Sequence, residues 1–371
     1  MRHAAGPFAI LLAVITATAT AATALAEAPK APAAPTGAAA KDPAALSDRT
    51  ALLAPIQVES LTLTPIVASA TPQAGPQAGP QAGDDELLVL DEAMAAKQVK
   101  IREVSDGAVN SLTFVNSAPH PVFVLAGEVI IGGKQDRIIG RNTVIPANTT
   151  QEVPVYCVEH GRWTGESKEF ATARALAHGR LRGRASYAAQ QDVWNEVAAK
   201  NVARKTTNHS DTYRGVAQQQ SDGTLAAMEK RVDAALGKLA PADRDRMVGY
   251  AVALDGAVAT VDVFGSPALF KKLETKLVRS YLTEAIDIRA RPGAKPPTAA
   301  DVKAFMADAD KAAEQRSYDT HAAETMVNTG ERAFKAKVGY KRAAPARVDG
   351  KPAPAAPPAP AATVYENYQA K

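Results

Sequence analysis

The polar residues best placed to do chemistry form two short segments of the chain. One runs from Gly132 to Arg137, after a predicted strand, and the other runs from Glu159 to Trp163, just beyond a later strand. Adjacent glycines let backbone amides approach an anion, arginines supply charge in a bidentate fork, and tryptophan offers a stacking face. The segments predict a pocket for a polar or anionic ligand, with the ligand-binding residues Gly132, Gly133, Gln135, Arg137, Arg162 and Trp163.

Two glutamates near these segments are candidates for acid–base chemistry. Glu128 lies in the middle of an apolar strand, so we expect it to be either ion-paired or to have a raised pKa, with Arg137 and Arg162 as its partners. If the carboxylates of Glu128 and Glu159 lie about 5–9 Å apart, they could act as a catalytic pair. The alternative is a structural salt-bridge network, and the glycine pair matches neither the Walker nor the dinucleotide-binding pattern.

The elements that must position these residues follow the pattern of an α+β fold. Strands are predicted at 52–68, 111–116, 122–131, 142–145 and 152–159, and a short helix at 87–100. Helical periodicity follows at 167–184, 186–204 and 224–239. A β-rich first half of antiparallel strands, followed by helices, a hairpin and further helices, argues against alternating βαβ units.

The clearest local signal is a β-hairpin from Met247 to Phe264. Asp255-Gly256 at its centre favours a two-residue primed turn, which predicts that 254 pairs with 257, 252 with 259 and 250 with 261. That register places Asp262 on the face of small residues, where it would interact with the dipole of the next helix. This helix is predicted to begin at Ser266 and Pro267, and a further one at Thr298.

The two ends of the chain differ from this central domain. Residues 1–26 have a positive start, a short apolar run and a small-residue cleavage site, which predict a signal peptide and export to the periplasm or the extracellular space. Ala/Pro-rich composition predicts a disordered lead at 27–50 and a disordered tail at 343–371. A single globular domain is predicted between them, at 51–342, with a flexible P-Q-A-G-repeat insertion at 71–83.

Composition narrows the possible partners. The net charge of +4 does not indicate a nucleic-acid partner, and no segment after the signal is apolar enough to enter a membrane stably. The single cysteine, Cys157, excludes an internal disulfide and is expected to be a small buried side chain. The histidine spacing predicts no metal site, and no cofactor is indicated. The basic stretch 174–214 is expected to be a solvated helix face.

Three separated segments resemble one bacterial family. They are Gly127 to Arg137, Val158 to Trp163, and the run from Val248 through Asp262-Val263-Phe264-Gly265-Ser266 to Tyr281. Together they are similar to the ARG and rhodanese-phosphatase-superfamily-associated protein domain, over about residues 50–345. ARG stands for ADP-ribosylglycohydrolase, so the resemblance implies an association with ADP-ribose or related compounds.

Carried over by position, the resemblance places certain residues on the family's polar motifs: Gln135, Arg137, Glu159, Arg162 and Trp163. Asp136 stands where the family pattern implies asparagine. Export is in tension with NAD-linked chemistry, which is mostly cytosolic.

Three functional hypotheses follow, and the sequence leaves open whether the protein is an enzyme. The first is an exported binding or accessory module for a polar, anionic or nucleotide-like ligand. The second is a hydrolase of a glycosidic or phosphoester bond that uses Glu128 and Glu159. The third is a cell-envelope protein-interaction domain. The oligomeric state is not predicted.

Overall fold

The computed structural model describes residues 46–69, 87–104, 110–162, 169–318, 323–341, 347–348, 351–352 and 361–371. The predicted signal peptide (1–26) and the repeat insertion (71–83) lie outside the described residues. The predicted lead (27–50) is described only at its end, where Leu46–Arg49 form a 3-10 helix and the first strand begins at Thr50. Its last residues are therefore ordered rather than disordered.

The first half of the described chain is built mainly of strands. Its elements are β1 (Thr50–Leu52), β2 (Ile56–Val58), β3 (Leu61–Ala68), β4 (Leu88–Val89), α1 (Leu90–Ala95), β5 (Val99–Glu103), β6 (Ser111–Asn116), β7 (Val122–Val124), β8 (Glu128–Gly132), β9 (Arg137–Ile139), β10 (Thr143–Ile145), β11 (Thr149–Cys157) and β12 (Phe170–Leu176).

The second half alternates groups of helices with antiparallel strands, which confirms the predicted α+β class. Its elements are α2 (Gly179–Tyr187), α3 (Gln190–Arg204), α4 (Arg214–Gln219), α5 (Ala226–Leu236), α6 (Pro241–Asp245), β13 (Met247–Leu254), β14 (Ala257–Phe264), α7 (Pro267–Ala285), α8 (Ala299–Asp310), β15 (Glu314–Tyr318), β16 (Ala323–Thr329), β17 (Ala333–Tyr340), β18 (Arg347–Val348), β19 (Lys351–Pro352) and β20 (Ala362–Ala370).

Six strands of the first half form a small barrel in the order β12-β8-β9-β11-β6-β5. An antiparallel bridge between Arg102 and Glu169 brings β5 back beside β12, so the sheet returns on itself. Alternate residues of these strands fill the interior, including Ile101, Phe114 and Val155. The three short strands β4, β7 and β10 form a separate sheet whose side chains join this interior.

The second sheet has nine strands in the order β1-β3-β13-β14-β20-β17-β16-β15, with β2 paired to β3. Its strand β20 lies between β14 and β17, deep in the sheet. The prediction of a disordered tail at 343–371 is therefore wrong for residues 362–370. The Ala/Pro-rich composition ends before this segment, and its Thr, Val and Tyr residues favour a strand.

The hairpin of β13 and β14 has the predicted turn but not the predicted register. Asp255 and Gly256 both have positive φ, at 51° and 84°, as a type I′ turn requires. Val252, however, pairs with Thr260 while Ala253 pairs with Val258, so Ala259 is an extra residue in a β-bulge. The bulge shifts every later pair by one residue. The predicted pairs 252 with 259 and 250 with 261 are therefore wrong.

Because the side-chain period of a strand is two, this shift exchanges the two faces of β14 beyond the bulge. Asp262 pairs with Tyr250 and shares its buried face, rather than the face of small residues. It also pairs with Asn367 on β20. The consequences of this placement for the core are described below.

Helices α7 and α8 begin at the capping residues that the sequence predicted. The Ser266 hydroxyl accepts a hydrogen bond from the Leu269 amide (3.2 Å), and Pro267 is the first helical residue of α7. Thr298 and Asp301 form a reciprocal capping box at the start of α8. Both predicted helix starts are confirmed.

Three predicted elements have different bounds. The helix predicted at 87–100 is only α1, and the single strand predicted at 122–131 is two strands separated at Gly127, whose φ is 91°. Residues 170–176 belong to strand β12 rather than to a helix, because they pair with β8 in the barrel. Pairing between distant segments therefore overrides the local helical pattern there.

Candidate functional site

The segments Gln135–Arg137 and Glu159–Arg162 meet at one end of the barrel. The Asp136 amide donates to Glu159 Oε2 (2.9 Å), which joins the turn between β8 and β9 to the residues after β11. Arg162 donates from Nε to Glu159 Oε1 (2.9 Å) and from Nη2 to Oε2 (2.6 Å). The two segments that the sequence singled out are therefore in direct contact.

Arg137 occupies the interior of this end of the barrel. It pairs with Ile130 on β8 and with Cys157 on β11, so its side chain points to the same face as the apolar filling. The side chain is 0% exposed. Its Nη1 makes only long contacts of 3.4 Å, to Gln135 Oε1 and to the Asp136 carbonyl. Within the described chain, its Nε and Nη2 have no hydrogen-bond partner.

Two further ionisable groups, Glu103 and Cys157, belong to this end of the barrel. Glu103 ends β5 on the interior face, and its Oε1 accepts a hydrogen bond from the Lys134 amide (2.9 Å). Its buried Oε2 has no hydrogen-bond partner among the described residues. Burial raises the pKa of the Cys157 thiol to about 11, with Arg137 and Glu103 exerting smaller, opposing effects. Both charges therefore lie close to that thiol.

The glycine pair has mainly an internal role. The Gly132 amide donates to Asp136 Oδ1 (3.0 Å), so this amide already has a partner. Gly133 has a φ of 54°, and a Cβ there would lie 2.3 Å from the ring of Phe170. Glycine is needed at 133 because the ring of Phe170 packs directly against the backbone.

Arg162 and Asp136 also belong to an internal network. Arg162 donates to the Gly133 carbonyl (2.9 Å) as well as to Glu159. Asp136 accepts from Arg214 Nη2 (2.8 Å) and from Arg214 Nε (3.0 Å). Burial alone would raise the pKa of Glu159, but the hydrogen bonds from Arg162 and from the Asp136 amide hold it below its usual range. Trp163 lies outside the described residues.

Glu128 lies at the opposite end of β8 from Gly132, about 13 Å away along a strand of this length. Its partner is Lys276 of α7 (2.7 Å), which also contacts Asp91 (2.5 Å). The predicted partners Arg137 and Arg162 are therefore wrong for this residue. Burial raises the pKa of Glu128, and Lys276 opposes this effect, as expected for a carboxylate inside a protein.

The basic stretch 174–214 is not a uniformly solvated face. His178, Arg182 and Lys200 are buried. Arg182 pairs with Asp262 (3.1 Å), and Lys200 pairs with Asp287 (3.0 Å). These cations have partners because α2 packs against α7 and β20, while Lys200 of α3 also reaches the Thr283 carbonyl of α7.

Among the described residues, the carboxylate that accepts the most hydrogen bonds is Asp262, which the predicted register placed on the wrong face. It is 0% exposed. It accepts hydrogen bonds from Arg182 Nη2 (3.1 Å), from Asn367 Nδ2 (2.7 Å), and from the hydroxyls of Tyr281 and Tyr365. An aspartate between two valines in a predicted strand was the available signal, but the bulge was needed to place it.

No group of three or more His, Cys, Asp or Glu side chains in the described ranges is arranged to hold a metal ion. Within those ranges there is also no helix with the length and apolar character to cross a membrane.

These features define an α+β protein in which a small barrel, with a buried arginine at one end, and a nine-stranded antiparallel sheet both pack against helix α7. The family model of the ARG and Rhodanese-Phosphatase-superfamily-associated Protein domain matches residues 49–345. The chain belongs to this family, as its motifs predicted. Strand β20 lies beyond the matched residues. Comparisons with curated proteins and with solved structures find no match.

Proposed function

We propose that this protein is a binding module for a small oxyanion, which Arg137 holds at the end of the barrel. The observation that supports the proposal is that this guanidinium is fully buried and that its Nε and Nη2 have no hydrogen-bond partner among the described residues. A buried charge without a partner costs several kcal/mol, so the site favours a counter-ion.

The two nitrogens without partners indicate the kind of anion. Nε and Nη2 form one edge of the guanidinium, and this edge binds two oxygens of a carboxylate or a phosphate in parallel. The buried Oε2 of Glu103 offers an acceptor nearby. A phosphate or carboxylate group that also carries an N–H or O–H donor would satisfy both residues.

The proposal includes two expectations from the sequence, a nucleotide-like ligand and export of the protein. A nucleotide-like ligand such as ADP-ribose would present a phosphate to Arg137, and the family's name supports testing it. Export to the periplasm or the extracellular space is proposed from the signal-like residues 1–26. Gln135 lines the polar side of Arg137 and would orient its Nη1 edge.

The hydrolase alternative has less support. Glu128 and Glu159 are each bonded to their own cation, Lys276 and Arg162, at different ends of β8. A water-activating pair needs two carboxylates that face the same bond. The interaction-domain alternative is distinguished by the experiment below.

The test compares thermal and urea unfolding of the mature chain with and without inorganic phosphate, acetate, AMP and ADP-ribose. A bound anion at about 100 times its Kd stabilises the folded state by about 2.7 kcal/mol. We expect Arg137→Met to abolish this stabilisation, whereas the matched exposed variant Arg289→Met retains it. Without ligand, Arg137→Met should be as stable as the wild type or more stable, because it removes an unpaired buried charge.

Two results would overturn the proposal. One is the absence of any stabilisation by these anions, which would favour the envelope-interaction hypothesis. The other is a loss of about 3–5 kcal/mol in Arg137→Met without ligand, matched by a similar loss in Glu103→Gln. That pattern would show that Arg137 and Glu103 form a structural ion pair.

A further inference from the structure

A second region of the molecule combines a cavity with unsatisfied polar groups. The cavity has a volume of about 250 Å³ and lies between α2, α7 and the β13–β14–β20 part of the large sheet. Its lining does not include Arg137 or any other residue of the barrel end.

The floor of the cavity is one row of cross-strand neighbours. Val252 on β13 pairs with Thr260 on β14, and Thr260 pairs with Gln369 on β20, so the three side chains share a face. All three line the cavity. The neighbouring row on the same face contains Asp262 and Asn367, and Asn367 Nδ2 donates to the Thr260 hydroxyl (3.1 Å). The floor is therefore held in place by the Asp262 network.

Gln369 is the unsatisfied group in this floor. Its side chain is 3% exposed, and its Oε1 has no hydrogen-bond partner within the described ranges. A buried acceptor left without a donor costs about 1–3 kcal/mol. The Gln369 carbonyl oxygen therefore favours a molecule in the cavity that brings an N–H or O–H group.

The wall formed by α2 is cationic. Arg180 and Arg184 lie one helical turn apart and both line the cavity. Lys371 at the end of β20 also lines it, but its ammonium donates to the Gly330 carbonyl outside the cavity. The one acidic side chain among the lining residues is Glu284, which accepts a hydrogen bond from the Arg180 amide (3.0 Å). Over the described residues, Arg184 has neither an ion pair nor a hydrogen bond from its guanidinium. The lining thus has an excess of positive charge.

We infer that this cavity is a binding site for a small organic anion that also carries a hydrogen-bond donor. Its carboxylate or phosphate group contacts Arg184, and its N–H or O–H group donates to Gln369 Oε1. Val252, Leu254 and Ala259 provide an apolar surface for its carbon skeleton. The volume equals that of about eight water molecules, and drug-sized ligands need about 300–1,000 Å³. The ligand is therefore smaller than a nucleotide.

The inference is independent of the proposed function, since the two sites share no residue. The cavity also extends beyond the part of the chain that matches the family model, because Gln369 follows residues 49–345.

The test is isothermal titration of the mature chain with lactate and glycerate as carboxylate probes, glycerol 3-phosphate as a phosphate probe, and ethanolamine as a cationic probe. We expect one of the anionic classes to bind and ethanolamine not to bind. Arg184→Met should raise the Kd at least tenfold, because it removes the contact with the anion. Gln369→Met should raise it severalfold, because it removes the acceptor without changing the size of the side chain.

Two variants serve as controls. Arg289→Met should bind the same probe with unchanged Kd. The titrations are repeated in the Arg137→Met background, which removes the barrel-end site, so the binding that Arg184→Met weakens in that background belongs to the cavity. Circular dichroism should show that Arg184→Met and Gln369→Met are folded. The inference is overturned if no anionic probe binds at about 10 mM, well above a weak millimolar Kd. It is also overturned if both cavity variants bind within twofold of the wild type, which would leave a cavity that holds only water.

Discussion

The buried Asp262 network gives the sharpest prediction about stability. Asp262→Asn preserves the size of the side chain but removes its negative charge. Arg182 is 2% exposed and pairs with Asp262, so the variant leaves a buried guanidinium without an anion. Breaking a buried ion pair on one side costs about 3–5 kcal/mol.

The neutral amide also has fewer acceptor positions for the donors around it. The hydroxyls of Tyr281 and Tyr365 and the amide of Asn367 all donate to Asp262. An orphaned buried donor adds about 1–3 kcal/mol, although these costs do not add fully because the groups share one partner. Typical domains have a total unfolding free energy of 5–15 kcal/mol, so the loss should be a large fraction of the whole.

Urea unfolding followed by circular dichroism measures this loss, and the melting temperature should fall by on the order of 10 °C. The matched control is Asp245→Asn, an exposed aspartate that should change stability by less than about 0.5 kcal/mol. In the double variant Arg182→Met/Asp262→Asn, part of the lost stability should return, because no unpaired charge remains. A loss below about 1 kcal/mol in Asp262→Asn, or a double variant with no coupling, would refute this account of the network.

Three further predictions follow from other parts of the structure. Deletion of residues 346–371 removes a central strand and two partners of the Asp262 network, so the product should be insoluble or unfolded in circular dichroism; a folded product would show that β20 is dispensable. The Cys157 thiol, with its pKa raised to about 11 by burial, should react with a thiol reagent at pH 8 only after unfolding, and rapid native labelling would contradict its placement. Burial lowers the pKa of His178, so the unfolded chain takes up a proton on this residue more readily than the folded protein, and stability is lost as pH falls below the unfolded value of about 6.5. His178→Asn should reduce this loss, measured as the free energy of unfolding by urea at a series of pH values. An unchanged dependence of that free energy on pH would exclude His178 as the cause.

The local signals in the sequence predicted local structure well. Asp255-Gly256, Ser266-Pro267 and Thr298 each specify a turn or a cap through the geometry of a few neighbouring residues, and the structure has all three. The Gln135–Arg137 and Glu159–Arg162 segments were also expected together, and they meet. Their proximity could be predicted because both follow strands of one β-rich region.

Features that depend on distant parts of the chain were not predictable in the same way. Glu128 lies near two arginines in sequence, but its partner Lys276 comes from a helix about 150 residues later, and no local pattern encodes that contact. Strand β20 has nine residues and follows a long Ala/Pro-rich stretch, so composition averaged over 343–371 hid it. Its Thr, Val and Tyr residues favour a strand, and its partners lie on both sides in distant parts of the chain.

The single extra residue at Ala259 explains why the interior of the large sheet could not be read from the hairpin alone. Without the bulge, Asp262 would face away from Arg182, and the tyrosines around it would lose their acceptor. With the bulge, Asp262 and Thr260 lie on the same face as Tyr250 and Val252, and Thr260 belongs to the row that forms the cavity floor. The same one-residue shift therefore buries the charge network and places Gln369 beside the cationic wall of α2. A register change of this kind cannot be inferred from alternation, because both registers bury apolar residues on one face, and only the buried charge distinguishes them.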